Sequence, residues 1–213
     1  MYYIKVNELT MKPINLLKLK LSLITIIFSI LITSCSQDAV KPQTAEQKPK
    51  PTQTASKFER EKYRSAITAL NSNDLASAQR LFNEFIRHKP NLAGAYSNLA
   101  LVHFKKNELE KSLTLVNKAL KLNPKQAQAL NLRAQLYVKK GKIHQAKDDY
   151  LLAVAAKPKY MNAQYNLALL YDIYLQDINL AIKHYKIYMS LLKKPDQLTQ
   201  EWVTHLEGTL KNE

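Results

Sequence analysis

The chain has 213 residues, with 32 Lys+Arg against 17 Asp+Glu, a formal net charge of +15, one Cys, three Gly and one Trp. At ~100–200 residues per domain this length holds one domain with accessory segments. Three glycines argue against a Gly-rich phosphate loop, and one cysteine excludes an intramolecular disulfide framework or a thiolate zinc cluster. Hydrophobic residues at 46% are enough for a core. A Gly-poor, Leu/Ala/Lys-rich chain favours helix, because those side chains lose little rotamer freedom there. The expectation is an all-α binding protein.

The first element in chain order is an apolar stretch, Leu16 to Ile32, whose uninterrupted part runs from Leu21 to Ile32. Twelve residues are too few to span hydrocarbon as a helix, which takes ~20. They suit the apolar region of a signal peptide, with Lys12, Lys18 and Lys20 as its basic start. Met1 to Thr10 looks unlike such a start, so translation is expected from Met11. Ile32-Thr33-Ser34-Cys35 follows at once and resembles the lipobox of bacterial lipoproteins. That resemblance implies removal of residues 1–34 and acylation of Cys35, with diacylglycerol on sulfur and a further chain such as palmitate on the new amine. Two or three acyl chains, at ~0.8 kcal/mol per buried CH2, make a stable anchor. Ser36 in place of an Asp implies transfer to the outer membrane, facing the periplasm, with the inner or sole cell membrane as the alternative.

Residues 35–55 have three prolines and no aromatic residue, and cannot bury enough surface to fold. Lys-Pro-Lys-Pro in this stretch favours an extended spacer, with a reach of up to roughly 60 Å for the whole segment. Ser56-x-x-Glu59 is a capping box ahead of a helical period, so the folded domain is expected to start at residue 56.

Pro90, Pro124 and Pro158 recur at a spacing of 34 residues. Aligning on them gives frames 59–92, 93–126, 127–160 and 161–195. Small residues stand in the first helices at Ala66, Ala100, Ala134 and Ala168. They open the second helices at Ala78, Ser112, Ala146 and, after one residue inserted in the fourth inter-helix loop, Ala181. Large residues follow at Phe82, Val116, Tyr150 and Tyr185, and Asn73, Asn107 and Gly141 occupy the turns. Small residues let two helices approach while large ones fill the gap beside them. The period and slots resemble the tetratricopeptide repeat. The fold class implied is all-α, a right-handed superhelical solenoid of about four helix hairpins (56–195). Residues 196–213 form a capping helix and tail, with Leu198, Trp202, Val203, Leu206 and Leu210 at helical spacing to cover the last repeat.

Chemistry is hard to find. None of His88, His103, His144, His184 and His205 forms an H-E-x-x-H pair, and His103 fills a framework slot of the repeat. Asp148 and Asp149 are adjacent and point ~100° apart on a helix, which excludes a shared acid–base site. The reading is a non-enzyme without cofactor, metal or small-molecule substrate, apart from the covalent lipid on Cys35.

The repeat family's geometry implies a concave groove lined by the first helices. Its candidates are Arg60, Tyr63 and Arg64; Asn98, Leu101 and Lys105; Asn131, Gln135 and Lys139; then Tyr165 and Asn166. Asn98 and Asn166 stand in the same context, and an amide that donates and accepts suits an extended peptide backbone. Arg60, Arg64, Lys105 and Lys139 favour an acidic ligand. The clamp with which chaperone-binding repeats hold a C-terminal carboxylate is not matched, since its positions read Tyr63, Ile67, Asn98, Gln128 and Leu132, of which only Asn98 fits.

Without residues 1–34 the chain keeps 28 basic and 16 acidic residues, a net +12. Export disfavours nucleic acid as the partner, and the lysines spread over most helices instead of forming a stripe, with Lys193 and Lys194 placed in a helix's last turn. The whole resembles repeat lipoproteins that assist type IV pilus or tight-adherence secretin assembly. It is also similar to envelope adaptors that dock peptidoglycan enzymes and proteases. The expected partner is an envelope protein or peptide, with DNA or an anionic surface as the alternative of another class.

Overall fold

The structure is a computed structural model and describes residues 53–211. The expected signal peptide, the acylated Cys35 and the linker up to residue 52 lie outside the described residues. Among the described residues no helix is long and apolar enough to cross a membrane.

The described residues form helix hairpins. α1 (Gln53–Asn71) pairs with α2 (Leu75–His88), α3 (Ala93–Lys105) with α4 (Leu109–Leu122), and α5 (Ala127–Lys139) with α6 (Ile143–Ala156). α7 (Met161–Leu169) runs on into a π-helical stretch, Leu170–Leu175, and pairs with α8 (Ile178–Ser190). α9 (Gln197–Lys211) packs on α8 as the C-terminal cap. Each hairpin touches its neighbours along the chain, the arrangement expected of a solenoid.

The slots read from the sequence are the core. Ala66, Ala100, Ala134, Ala168, Ala78, Ser112, Ala146 and Ala181 are all fully buried. Phe82, Val116, Tyr150 and Tyr185 fill the spaces beside them. At Ser112 the hydroxyl donates to the Ala100 carbonyl oxygen across the hairpin at 2.8 Å, so the small polar residue is satisfied.

The prolines act on the residues before them. Lys89, Asn123 and Lys157 have φ near −134°, −143° and −146°, out of the helical region as a following proline demands. Their amides still donate to Phe85, Ala119 and Ala153 carbonyls, which closes each helix end. Within the hairpins, Asn73, Asn107 and Gly141 adopt φ of 61°, 60° and 70°. The residue after each donates back five positions, at 2.8–2.9 Å, to Ala69, His103 and Tyr137 oxygens. This is a Schellman ending, whose left-handed residue favours Gly and next Asn.

Four expectations need correction. α1 opens at Gln53, so Ser56 lies one turn inside the helix and the linker ends earlier than residue 55. Pro51 is the last proline ahead of α1, and the Gln-Thr-Ala-Ser that opens the helix does not resist it. The residue inserted in repeat four is taken up by the helix, in the π-helical stretch, instead of the loop. Gln176 then takes the left-handed position at φ 54°, and Asp177 reaches back six residues to the Tyr171 oxygen instead of five. Third, α8 ends at Ser190, which leaves Lys193 and Lys194 beyond it. Last, the apolar stripe of α9 divides. Thr199, Val203 and Leu206 are buried against the fourth repeat, whereas Leu198 is 79% and Trp202 45% exposed.

Candidate functional site

The predicted groove residues do not all do the same thing. Tyr63 is half-buried, edge-on to Phe82 and Phe85, and its hydroxyl accepts from Asn98 Nδ2 at 2.9 Å. Burial pushes the Tyr63 hydroxyl above its ordinary pKa, against the pull of that bond. A Cβ on Gly94 would lie 2.9 Å from the same oxygen, so the glycine lets α3 come this near. Two repeats further on, Asn166 Nδ2 donates to Asn131 Oδ1 at 2.9 Å. The two asparagines chosen as peptide hooks therefore use their donors to hold adjacent repeats together. Asn131 is itself buried and lies beneath the groove surface, which corrects its assignment as a contact residue. Leu101 is likewise a bridge, packed against the cores of the first and second repeats.

The cations remain on the surface. Arg60, Arg64, Lys105 and Lys139 are exposed, and among the described residues none of the four is in an ion pair. Lys105 Nζ is 3.4 Å from Asn73 Oδ1, and Lys139 Nζ sits 5.6 Å from the centre of the Phe104 ring. Beside that pair opens a cavity of about 260 Å³, lined by Phe104, Gln135, Lys139, Asn166, Leu169 and Ile173 among others. Three predicted groove residues, Gln135, Lys139 and Asn166, thus meet at one place. Tyr165, edge-on to Tyr185, lines a second cavity of about 280 Å³ with Leu169, Asp172, Ile173, Leu198 and Trp202.

Ile173, Tyr174, Leu198 and Trp202 were not singled out as surface contacts. The π-helical stretch presents Ile173 at 60% and Tyr174 at 50% exposure. Trp202 was expected to pack on repeat four. It does so by its edge, Nε1 donating to Asp172 Oδ2 at 2.7 Å, and leaves nearly half its surface to solvent. The signal was present in the sequence: a residue too many between Tyr171 and Ala181, with Ile and Tyr where a polar turn belongs.

The buried ionisable groups are structural. Arg133 makes a two-pronged pair with Asp149 at 2.6 and 2.7 Å and also donates to Asn117 Oδ1. Asp149 holds the guanidinium above its usual pKa. His103 Nδ1 is 2.8 Å from Glu108, whose carboxyl is held down at about 2 by hydrogen bonds from Lys111, His103 and Lys106. His184 Nδ1 faces Gln164 Oε1 at 2.7 Å, and Gln164 Nε2 donates to the Pro158 oxygen. The Gln164 oxygen is thus left to accept, which places the hydrogen on His184 Nδ1. Burial, with Lys183 adding to it, holds His184 below the ordinary imidazole pKa. Among the described residues no group of three or more His, Cys, Asp or Glu could hold a metal ion.

A stack of helix hairpins with an open inner face defines a helical-repeat interaction protein. Profiles of the tetratricopeptide repeat match residues 69–136 and residues 127–160. Residues 69–160 thus match the tetratricopeptide repeat, a fold that generally mediates protein and peptide binding. No curated protein matches the sequence significantly. Solved structures share the fold. A tetratricopeptide repeat protein from Parabacteroides merdae is 23% identical, with TM-score 0.55 over 72% of this chain and 61% of that one. TTC0263 of Thermus thermophilus is 19% identical, with TM-score 0.58 over 70% and 80%. The first repeat domain of Spaghetti (RPAP3), bound to the HSP90 peptide SRMEEVD, is 20% identical, with TM-score 0.51 over 56% and 94%.

Proposed function

We propose that this protein is a lipid-anchored adaptor of the bacterial envelope that binds an acidic segment of a partner protein in its concave groove. The observation carrying the reading is the exposed basic lining, above all Lys139 over Phe104 beside Gln135 and Asn166 at an open cavity. Of the side chains lining that cavity and its neighbour, Asp172 is the one carboxylate, and it accepts from Trp202 and Tyr185. An acidic chain meets attraction along the groove and little repulsion. The related fold of RPAP3 takes an acidic peptide, although the clamp positions here differ, with Leu132 buried in the core.

Acylation at Cys35 places the domain on the outer membrane, facing the periplasm, and supports a role in assembling an envelope complex such as a type IV pilus or secretin. Crosslinking in intact cells, followed by mass spectrometry of the captured envelope proteins, tests both halves. The wild type should capture a partner with an acidic segment, and Lys105→Glu/Lys139→Glu should lose it while staying folded. Metabolic labelling with a palmitate analogue should mark the wild type and leave Cys35→Ala unmarked. Capture indifferent to the charge reversal would remove the groove from the account, and an unlabelled wild type, or an equally labelled Cys35→Ala, would remove the lipid at Cys35.

A further inference from the structure

The two cavities of the fourth repeat share a wall. Leu169 and Ile173, one helical turn apart, belong to both, so they form an apolar ridge with a hollow on either side. The first hollow is floored by Phe104 and rimmed by Lys139. The second lies between α7 and the cap, where Leu198 and the Trp202 indole stand open. The hydrogen bond from Trp202 Nε1 and the one from the Tyr185 hydroxyl, both to Asp172 Oδ2, fix the far wall and occupy the carboxylate. Exposed large apolar residues gathered on one face, with the exposed Lys139 beside them, mark a surface that a partner covers.

We infer that this ridge is a two-pocket anchor for an acidic protein segment that places one large apolar side chain on each side of Leu169 and Ile173. The inference rests on the groove reading above and adds the partner's apolar requirement. It also extends the binding face off the repeats and onto α9. The occupant's charge follows from complementarity: Lys139 lines the hollow beside the ridge from the third repeat, and the carboxylate within the site already has two donors. The apolar requirement follows from Ile173 and Leu198, which stay 60% and 79% exposed and would lose their remaining water only beneath a partner.

The test uses the protein purified from membranes and a phage-displayed library of random dodecapeptides. Enriched peptides should carry two large apolar residues a few positions apart, with Asp or Glu alongside. Ile173→Ser/Leu198→Ser should weaken the best peptide by about tenfold or more, since burying one large side chain is worth ~1.5–3 kcal/mol. Both residues are exposed, so thermal stability should stay at the wild-type value and separate a lost contact from a lost fold. Acidic peptides without an apolar pair, bound equally by wild type and serine variant, would overturn the anchor and leave the basic groove standing. Peptides indifferent to Lys105→Glu/Lys139→Glu would overturn the groove reading itself. A library that enriches nothing would overturn the anchor.

Discussion

The third and fourth repeats share one slot pattern and fill two of its positions differently. In the third, the hairpin turns on Gly141 and the slot before the large residue holds Asp149, bound to Arg133. In the fourth, the turn falls on Gln176, the same slot holds His184, bound to Gln164, and one extra residue has been absorbed by widening the helix. The core is indifferent to the insertion: Ala168, Ala181 and Tyr185 are as buried as their counterparts Ala134, Ala146 and Tyr150. A π-helical turn places an added residue on the outside while keeping flanking side chains in register. Solenoid interfaces thus tolerate insertion where the backbone can take it up, and the cost appears as a changed surface, here Ile173 and Tyr174.

The ion pair of the third repeat is the sharper half of that contrast. Arg133→Met leaves a buried carboxylate without its partner and should cost ~3 kcal/mol. Thermal unfolding followed by circular dichroism should show a drop of roughly 6–12 °C, at ~2–4 °C per kcal/mol. Leu81 and Leu115 occupy the slot of Asp149 in the first two repeats. Arg133→Met/Asp149→Leu should therefore recover most of the loss, and a double variant as unstable as the single would show that the slot is not interchangeable.

The fourth repeat should carry the pH sensitivity. His184 is buried neutral, with a folded pKa below its unfolded 6.5, so the unfolded chain binds the extra proton first. Its contribution is complete above 6.5 and declines as pH falls, with a slope of up to ~1.4 kcal/mol per pH unit. Glu108 acts in the same direction at lower pH. Its folded pKa is about 2 against 4.5, so its contribution is present above 4.5 and lost toward pH 2. Denaturant titrations at pH 7.5 and 5.5 should differ for the wild type and converge for His184→Gln. An undiminished difference in the variant would move the sensitivity elsewhere.

The two turns should give the smallest changes, of opposite sign. Gly141→Ala puts a Cβ at φ 70° and should lose ~1 kcal/mol, while Gln176→Gly relieves φ 54° and should gain about as much. Equal melting temperatures for Gln176→Gly and wild type would mean that the π-helical stretch, and not the residue, sets this backbone.

What could be read from the sequence follows from this division. Slots that must be small, large or left-handed are dictated by packing and backbone sterics, so Ala66, Phe82 and Asn73 announced themselves. The use of Asn98 and Asn166 did not, because an amide on a groove can face a ligand or the next repeat equally well, and only the neighbour at 2.9 Å decides. Trp202 was misjudged because the helical stripe of α9 contains two adjacent flanks, and burial of Val203 and Leu206 on one leaves the other open. The added residue was visible as a count; whether loop or helix absorbs it is a matter of hydrogen bonding that a count does not carry.

The single tryptophan of the chain stands at the mouth of the second cavity, its ring tilted against His205 at 5.3 Å. Its fluorescence therefore comes from one place and from no other. An apolar group settling there would strip water from the indole and move its emission to shorter wavelength, so occupancy of the anchor can be followed by light, without a label, in the unmodified protein.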